Sequence, residues 1–123
     1  GTGLRDYIHV SDLAAAHVLA LEALITQPER SLTMNCGYGR GFSVLEVLDA
    51  VDRATNRAIT RRMGPRRAGD PDGLVSDNAL IRQTLPWVPR YADLDTMVGH
   101  ALAWEARLSE VELNNWQARS RGL

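Results

Sequence analysis

The chain has 123 residues, a hydrophobic fraction of 45% and a formal net charge of −1, values that fit one globular domain or a piece of a larger one. They argue against intrinsic disorder and against general attraction to nucleic acid, because the basic residues are scattered among carboxylates. The longest apolar stretch, residues 13–25, is interrupted by His17 and Glu22, so we expect no membrane span.

Residue usage adds two further expectations. Cys36 is the single cysteine, and with no visible signal peptide this favours a reducing, cytoplasmic location. All 14 basic residues are arginines, so chemistry that needs a lysine, such as a Schiff base or a Tyr-x-x-x-Lys pair, cannot reside in this chain. Because the chain begins at Gly1 rather than at methionine, we expect it to be the end of a longer protein.

The first elements follow from residue patterning. Residues 5–10 alternate polar and apolar side chains and predict a strand, after which Ser11 and Asp12 offer N-caps to a helix over residues 13–25. Apolar side chains cover more than half of that helix, which predicts that it is largely buried. His17 within it is interpreted as a packed, hydrogen-bonded residue rather than a catalytic one.

Residues 32–36 predict a short buried strand, followed by a glycine-rich turn over residues 37–41. This turn does not fit the dinucleotide-binding fingerprint, because Phe42 stands where the third glycine belongs. Arginines also occupy the region, residues 57–62, where an acidic residue would be required. We therefore interpret the turn as a tight connection to the next helix and Cys36 as part of the core.

The second half of the chain predicts three helices. A capping box at Ser43 opens a helix to about Thr55 that Asn56 closes. After an extended segment over residues 58–63 and another over residues 74–76, Asp77 caps a brief helix that Pro86 stops. Asp93 caps the last helix. From Ser109 onward we expect a frayed tail in which Trp116 is a candidate for packing, so the chain divides into a domain over residues 1–108 and a tail over residues 109–123. The predicted fold class is α/β, with helices and a few short strands.

Residues 65–71, Pro-Arg-Arg-Ala-Gly-Asp-Pro, form what we call the arginine loop. Its prolines and glycine exclude a regular helix or strand. Two guanidinium groups and a carboxylate suit an anionic ligand that also carries hydroxyls, as phosphate and ribose do. A solvated surface loop is the alternative that composition alone leaves open.

Three motifs together carry a resemblance over nearly the whole chain. They are residues 1–13 (Gly-Thr-Gly-Leu-Arg-Asp-Tyr-Ile-His-Val-Ser-Asp-Leu), residues 35–44 (Asn-Cys-Gly-Tyr-Gly-Arg-Gly-Phe-Ser-Val) and residues 66–71 (Arg-Arg-Ala-Gly-Asp-Pro). This combination resembles the UDP-glucose (UDP-galactose) 4-epimerases, which are extended short-chain dehydrogenases/reductases. The resemblance implies the C-terminal, substrate-binding part of a Rossmann-fold enzyme that interconverts UDP-glucose and UDP-galactose through a 4-keto sugar.

The resemblance also implies roles for individual residues. Arg5 and Arg67 would bind the diphosphate, Asp70 the uridine ribose and Leu74 the hexose, with Tyr7 a further candidate for the ribose or phosphate. No catalytic or cofactor-binding residue is expected in this chain, since NAD and the catalytic group would belong to the N-terminal half of such an enzyme. A homodimer is the expected assembly, and this stretch alone is expected to be inactive.

Two alternatives stay open at this point. Another nucleotide-sugar epimerase, or a dehydratase acting on a dTDP-sugar, would share the first motif. A non-catalytic fragment that only binds a nucleotide-sugar is possible as well. Leu74 stands where the family often has an aromatic residue, so the preferred sugar is left undetermined.

Overall fold

In the part of the chain that the structure describes, a small sheet is combined with four helices. The computed structural model describes residues 2–65 and 67–120, and for residues 112–120 the backbone alone. In chain order the elements are β1 (Leu4–Arg5), α1 (Val10–Thr26), β2 (Phe42–Ser43), α2 (Val44–Thr55), β3 (Gly73–Leu74), α3 (Ala79–Thr84) and α4 (Leu94–Ser120). This arrangement agrees with the prediction of helices and a few short strands.

The sheet has the order β2-β1-β3, so the strand nearest the N-terminus lies in its centre. β1 runs antiparallel to β2, with Arg5 opposite Phe42, and parallel to β3, with Arg5 opposite Leu74. Each strand has two residues. The sheet therefore joins three distant parts of the sequence at one point, beside the arginine loop.

The predicted strand over residues 5–10 is wrong beyond Arg5, and the predicted caps of α1 are wrong as well. The helix begins at Val10, and its N-cap is His9, whose Nδ1 accepts a hydrogen bond of 3.0 Å from the amide of Ser11. An imidazole nitrogen thus accepts the capping hydrogen bond that the side chain of Ser11 or Asp12 was expected to accept. Ser11 and Asp12 consequently lie inside the first helical turn.

The predicted burial of α1 is also wrong within this chain. Only Asp12 and Ala16 of the helix are buried, whereas Val18, Leu21 and Ile25 are 56%, 60% and 72% exposed. His17 is exposed too, so its interpretation as a packed residue is wrong. Its Nδ1 forms a hydrogen bond of 2.8 Å with the carbonyl of Leu13, which agrees with the other part of that interpretation. The apolar periphery of α1 is thus a surface of the chain.

Residues 32–36 do not form the predicted strand. The segment is irregular, and Met34 and Cys36 pack against a cluster of buried residues that contains Trp87. Strand formation requires a neighbouring strand that can pair with the segment, and in the described part of the chain the sheet contains only β1, β2 and β3. The prediction of Cys36 as a packed residue is confirmed in outline, since it is half-buried.

The helix ends that depend on local signals are as predicted. α2 has the full capping box between Ser43 and Glu46, and Asn56 closes it in the left-handed conformation with φ of 51°. The carboxylate of Asp93 accepts from the Thr96 amide at 2.9 Å at the start of α4. α3 differs by one residue, because Asn78 is its N-cap, while Asp77 accepts from the Ala79 amide at 3.0 Å.

The expectation of a frayed tail from Ser109 is wrong for the backbone, because α4 continues without a break to Ser120. The side chain of Trp116 and residues 121–123 lie outside the described part of the chain. The division at residue 108 stays a prediction. No helix within the described ranges is both long enough and apolar enough to cross a bilayer.

Among the residues that the structure describes, the buried side chains form two clusters, and Tyr38 packs against both of them. The first cluster joins β2, α2 and α4 and consists of Phe42, Ala50, Leu94, Met97 and Val98. The second joins α1 to the segment around α3 and consists of Ala16, Ile81, Leu85 and Trp87. The first cluster packs β2, and with it the small sheet, against α2 and α4.

Candidate functional site

A cavity of about 760 Å³ lies between the start of β1, one side of α2 and the arginine loop. We call it the arginine cavity. Its apolar wall includes Leu4, Leu45 and Leu48. Its charged and polar lining residues, among those that the structure describes, are Thr2, Thr60, Arg61, Arg62, Arg67, Asp70 and Asp72. A cavity with one apolar wall and a few converging charged groups is typical of a small-molecule site.

Arg5 is held at the rim of the arginine cavity. Its guanidinium donates to the carbonyl oxygens of Leu4 at 2.7 Å and Pro71 at 3.2 Å and forms an ion pair with Asp70. A Cβ added to Gly3, which lines the cavity, would lie 2.9 Å from Arg5 Nη1. These contacts use three of the five N–H groups that an arginine carries, so the side chain is oriented and retains donors.

The arginines that line the cavity are of two kinds. Arg61 forms ion pairs with two residues of α2, Asp49 at 2.7 Å and Asp52 at 2.5 Å. These carboxylates raise the pKa of Arg61 and neutralise its charge locally. The guanidinium groups of Arg62 and Arg67, by contrast, make no hydrogen bond or ion pair with the residues that the structure describes. The cavity therefore offers positive charge that an anion can use.

The arginine loop turns so that Arg67 and Asp70 line the same cavity. Gly69 has φ of 77°, a left-handed conformation that glycine adopts without strain, and the amide of Asp70 donates to the carbonyl of Arg67 at 3.3 Å. Arg66 lies outside the described residues. The structure thus places Arg67 and Asp70 in the lining of one cavity and joins Arg5 to Asp70 by an ion pair, which the sequence did not indicate. Arg5 itself is not among the described residues that line the cavity.

The other two predicted site residues lie elsewhere. Leu74 is on β3 opposite Arg5, and its side chain is 63% exposed. Tyr7 packs against the cluster of α2 and α4 and lines a second, mainly apolar cavity with His9, His100 and Trp104. Tyr7 is not among the described residues that line the arginine cavity.

The glycine-rich turn binds a carboxylate of the chain itself. The amides of Tyr38 and Gly39 donate to the two carboxylate oxygens of Asp6 at 3.0 and 2.9 Å. Gly39 needs its positive φ of 71° for this turn. Because these amides already hold an anion, the turn does not fit the pyrophosphate of a dinucleotide. The interpretation of the turn as a structural connection agrees with this geometry.

No group of histidine, cysteine, aspartate or glutamate side chains suited to a metal ion occurs among residues 2–65 and 67–111. The arginine cavity is lined by guanidinium groups, carboxylates and apolar side chains.

The chain is similar to known proteins over most of its length. No protein-family profile matches it. It is 49% identical over 110 residues to the UDP-glucose 4-epimerase of Azospirillum brasilense and 45% identical over 104 residues to that of Lacticaseibacillus casei. These alignments cover 89% and 85% of the chain but only 31% of each relative. The chain thus spans about a third of the length of the relatives it matches.

Solved structures give the same result. The UDP-glucose 4-epimerase of Stenotrophomonas maltophila, solved with NAD and formylated UDP-arabinopyranose, superposes with a TM-score of 0.81 at 42% identity. The match covers 89% of this chain and 32% of that one. The enzyme of Bifidobacterium longum, solved with NAD+ and UDP, has a TM-score of 0.73 at 35% identity and covers 86% of this chain and 31% of that one.

The chain is homologous to the C-terminal part of the UDP-glucose 4-epimerases. The resemblance inferred from the three motifs is therefore confirmed. The 4-epimerase motifs converge on the arginine cavity, because residues 1–13 supply β1 and residues 66–71 supply most of the arginine loop.

Sequence reasoning missed two residues of this 4-epimerase region. Arg62 lines the cavity with Arg67 but was interpreted as part of an extended segment. Its position three residues before the arginine loop was the signal that could have identified it. Asp6, which binds the glycine-rich turn, was missed because its partners lie more than 30 residues away.

Proposed function

We propose that this chain is the nucleotide-sugar-binding part of a UDP-glucose 4-epimerase, an isomerase that interconverts UDP-glucose and UDP-galactose. The observation that carries the proposal is that Arg67 and Asp70 line one cavity and that Arg5, 65 residues from Asp70 in sequence, forms an ion pair with Asp70 at its rim. Homology to 4-epimerases over 85–89% of the chain supports it.

The diphosphate is assigned to the positive side of the arginine cavity. Arg67 is exposed and carries a guanidinium with no partner among the described residues, and Arg5 retains unused N–H donors at the rim. A guanidinium matches two phosphate oxygens at once, so two arginines can hold a diphosphate in a defined orientation. Arg62 is a third cation positioned to contribute to the same field.

Asp70 is assigned to the ribose, whose hydroxyls donate to a carboxylate. Its ion pair with Arg5 would link ribose binding to diphosphate binding, because movement of one side chain disturbs the other. Leu74, opposite Arg5 on β3, is assigned to the hexose. The role of Tyr7 stays a prediction, and its packing against the α2 and α4 cluster favours a structural contribution.

NAD is assigned to a part of the complete enzyme outside this chain. Relatives have been solved with NAD, but the glycine-rich turn of this chain uses its amides on Asp6. When bound, NAD would supply the hydride chemistry at the sugar. The residues described above would bind the nucleotide and hold the sugar in place, without moving a proton or a hydride themselves.

The proposal is tested by UDP binding to the Arg67→Ala variant of the full-length protein that contains this chain. Loss of charge-assisted hydrogen bonds of about 1.5–3 kcal/mol each should weaken UDP binding by roughly ten- to a hundredfold. Isothermal titration calorimetry measures the change. An unchanged Kd in a folded variant would contradict the assignment of the diphosphate to this cavity.

Arg53→Ala is the matched control. Arg53 lies in the last turn of α2, but its guanidinium pairs with Asp95 at 2.5 Å and lines a separate small cavity. Its removal changes the net charge equally and should leave the Kd for UDP within about twofold, because Arg53 does not line the arginine cavity and its charge is already paired with Asp95.

A further inference from the structure

Asp6 joins three distant segments of the chain through one carboxylate. It accepts from the amides of Tyr38 at 3.0 Å and Gly39 at 2.9 Å, and from the amide and hydroxyl of Ser76 at 3.2 and 2.6 Å. Its own amide donates to the carbonyl of Leu74 at 3.2 Å. Both the side chain and the main chain of Asp6 are therefore fixed to the segment that leaves the arginine loop.

This fixation matters because the sheet next to it is minimal. β1 and β3 have two residues each and share a short parallel ladder, whose register few hydrogen bonds define. That register places Arg5 opposite Leu74 and its guanidinium beside Asp70 and Pro71. A slip of one residue would move Arg5 by about 3.3 Å, which exceeds the tolerance of a hydrogen bond.

The contact among the three segments is close. A Cβ added to Gly37 would lie 2.1 Å from Ser76 Oγ and 2.6 Å from Asp6 Oδ2, so there is no room for a side chain between them. Burial would raise the pKa of Asp6, but the hydrogen bonds from Ser76, Tyr38 and Gly39 together lower it below its ordinary value. The carboxylate is ionised at neutral pH and accepts from all four donors.

We propose that Asp6 is a positioning residue for nucleotide binding, which sets the β1–β3 register so that Arg5 meets Asp70 at the rim of the arginine cavity. Asp6 does not line the cavity itself in the described part of the chain. The inference rests on the proposed function, since it concerns the same diphosphate site.

Asp12 provides a matched control inside the same chain. It is 3% exposed and accepts from the Tyr38 hydroxyl at 2.6 Å and from the amides of Arg90 and Tyr91 at about 3 Å. The two amide contacts tie α1 to the segment before α4, and the Tyr38 hydroxyl ties it to the glycine-rich turn. None of these contacts is with the arginine loop. Replacement of either aspartate by asparagine removes one charge and disturbs several hydrogen bonds, but only Asp6 adjoins the proposed site.

The experiment compares Asp6→Asn, Asp12→Asn and Arg67→Ala in the full-length protein by calorimetric titration with UDP, thermal unfolding and steady-state kinetics. Asp6→Asn should raise the Kd for UDP by roughly tenfold, the effect of losing one charge-assisted hydrogen bond. It should raise KM for the UDP-sugar with kcat nearly unchanged. Asp12→Asn should lower Tm at least as much as Asp6→Asn does, but it should leave the Kd for UDP within about twofold of the parent value.

The outcomes separate the two proposals. A normal Kd in Asp6→Asn beside a weakened Arg67→Ala overturns the positioning role alone, as does an equal loss of affinity in Asp12→Asn. A normal Kd in both Asp6→Asn and Arg67→Ala overturns the proposed function and the positioning role with it. If Asp6→Asn does not fold, Ser76→Ala replaces it. A raised Kd in that variant supports the role of Asp6, and an unchanged Kd overturns it.

Discussion

Asp12 shows how one side chain can contribute to stability over a limited range of pH. Burial would raise its pKa, but the bonds from Tyr38, Arg90 and Tyr91 together hold it below the ordinary value of 3.8. Burial and the bond to Asp12 raise the pKa of Tyr38 to about 12, so its hydroxyl remains a donor across the physiological range. The folded state thus favours the ionised form of Asp12.

The sign of the pH effect follows from this direction. A carboxyl whose pKa is lower in the folded state stabilises the fold above its ordinary pKa, and that contribution is lost as the pH falls through the folded-state value. We expect Asp12→Asn to cost about 2 kcal/mol at neutral pH. Unfolding of the parent and the variant should therefore differ most at neutral pH, and the difference should shrink below about pH 4. A constant difference across this range would contradict the role given to the charge.

Site residues could be predicted from the sequence where a short motif carried them. Arg67 and Asp70 share one loop, so their proximity to one cavity follows from local spacing. The ion pair between Arg5 and Asp70 could not be predicted, because it depends on which strand lies beside β1. The same holds for Asp6, whose partners are set by the fold rather than by neighbouring residues.

At the scale of elements, α2 is the helix whose start is defined most locally. Ser43 Oγ accepts from the Glu46 amide at 3.2 Å, and Glu46 Oε2 accepts from the Ser43 amide at 2.7 Å. Ser43→Ala should cost about 1 kcal/mol, because an exposed N-terminal amide loses its partner. Chemical denaturation of the full-length protein measures the change.

Ser109→Ala is the control for that substitution. Ser109 is exposed within α4, and its hydroxyl donates to the Glu105 carbonyl at 3.0 Å. Such a side-chain hydrogen bond to the preceding turn does not stabilise a helix. Alanine is the better helix former, so this variant should be as stable as the parent or slightly more stable. Equal losses in both variants would show that the capping box adds nothing specific.

The elements that sequence reasoning predicted correctly are those with local causes. Capping by Ser43 and Asp93 and closure at Asn56 depend on neighbours within a few residues. The strand predicted over residues 32–36 does not form, because a strand has to pair with a neighbouring strand. Met34 and Cys36 pack against the cluster that contains Trp87 instead. The prediction of where α1 starts was wrong because its N-cap is His9, and histidine is not among the residues preferred at that position.

At the scale of the whole molecule, the exposed apolar face of α1 dominates the expected behaviour of the isolated chain. Val18, Leu21 and Ile25 are each more than half exposed, and Leu24 is 41% exposed. Apolar patches of this kind favour association in water. We expect the chain alone to form dimers or larger species in sedimentation velocity, to leave NAD unbound in a fluorescence titration and to have no epimerase activity.

The full-length protein that contains this chain is the control for these measurements, and it should bind NAD and be active. A monomeric chain that binds NAD by itself would contradict the assignment of the cofactor to another part of the enzyme. It would also show that the exposed apolar face of α1 does not cause the isolated chain to associate.

The position of Tyr38 has a consequence for how related sequences can diverge. Its amide binds Asp6, while its hydroxyl donates to Asp12 at 2.6 Å and accepts from the His9 amide at 3.1 Å. Phenylalanine at position 38 would fill the same space but would leave a buried carboxylate and a buried amide short of partners. Among descendants of a common ancestor, we therefore expect positions 12 and 38 to change together or not at all, with the pair inherited as a single unit.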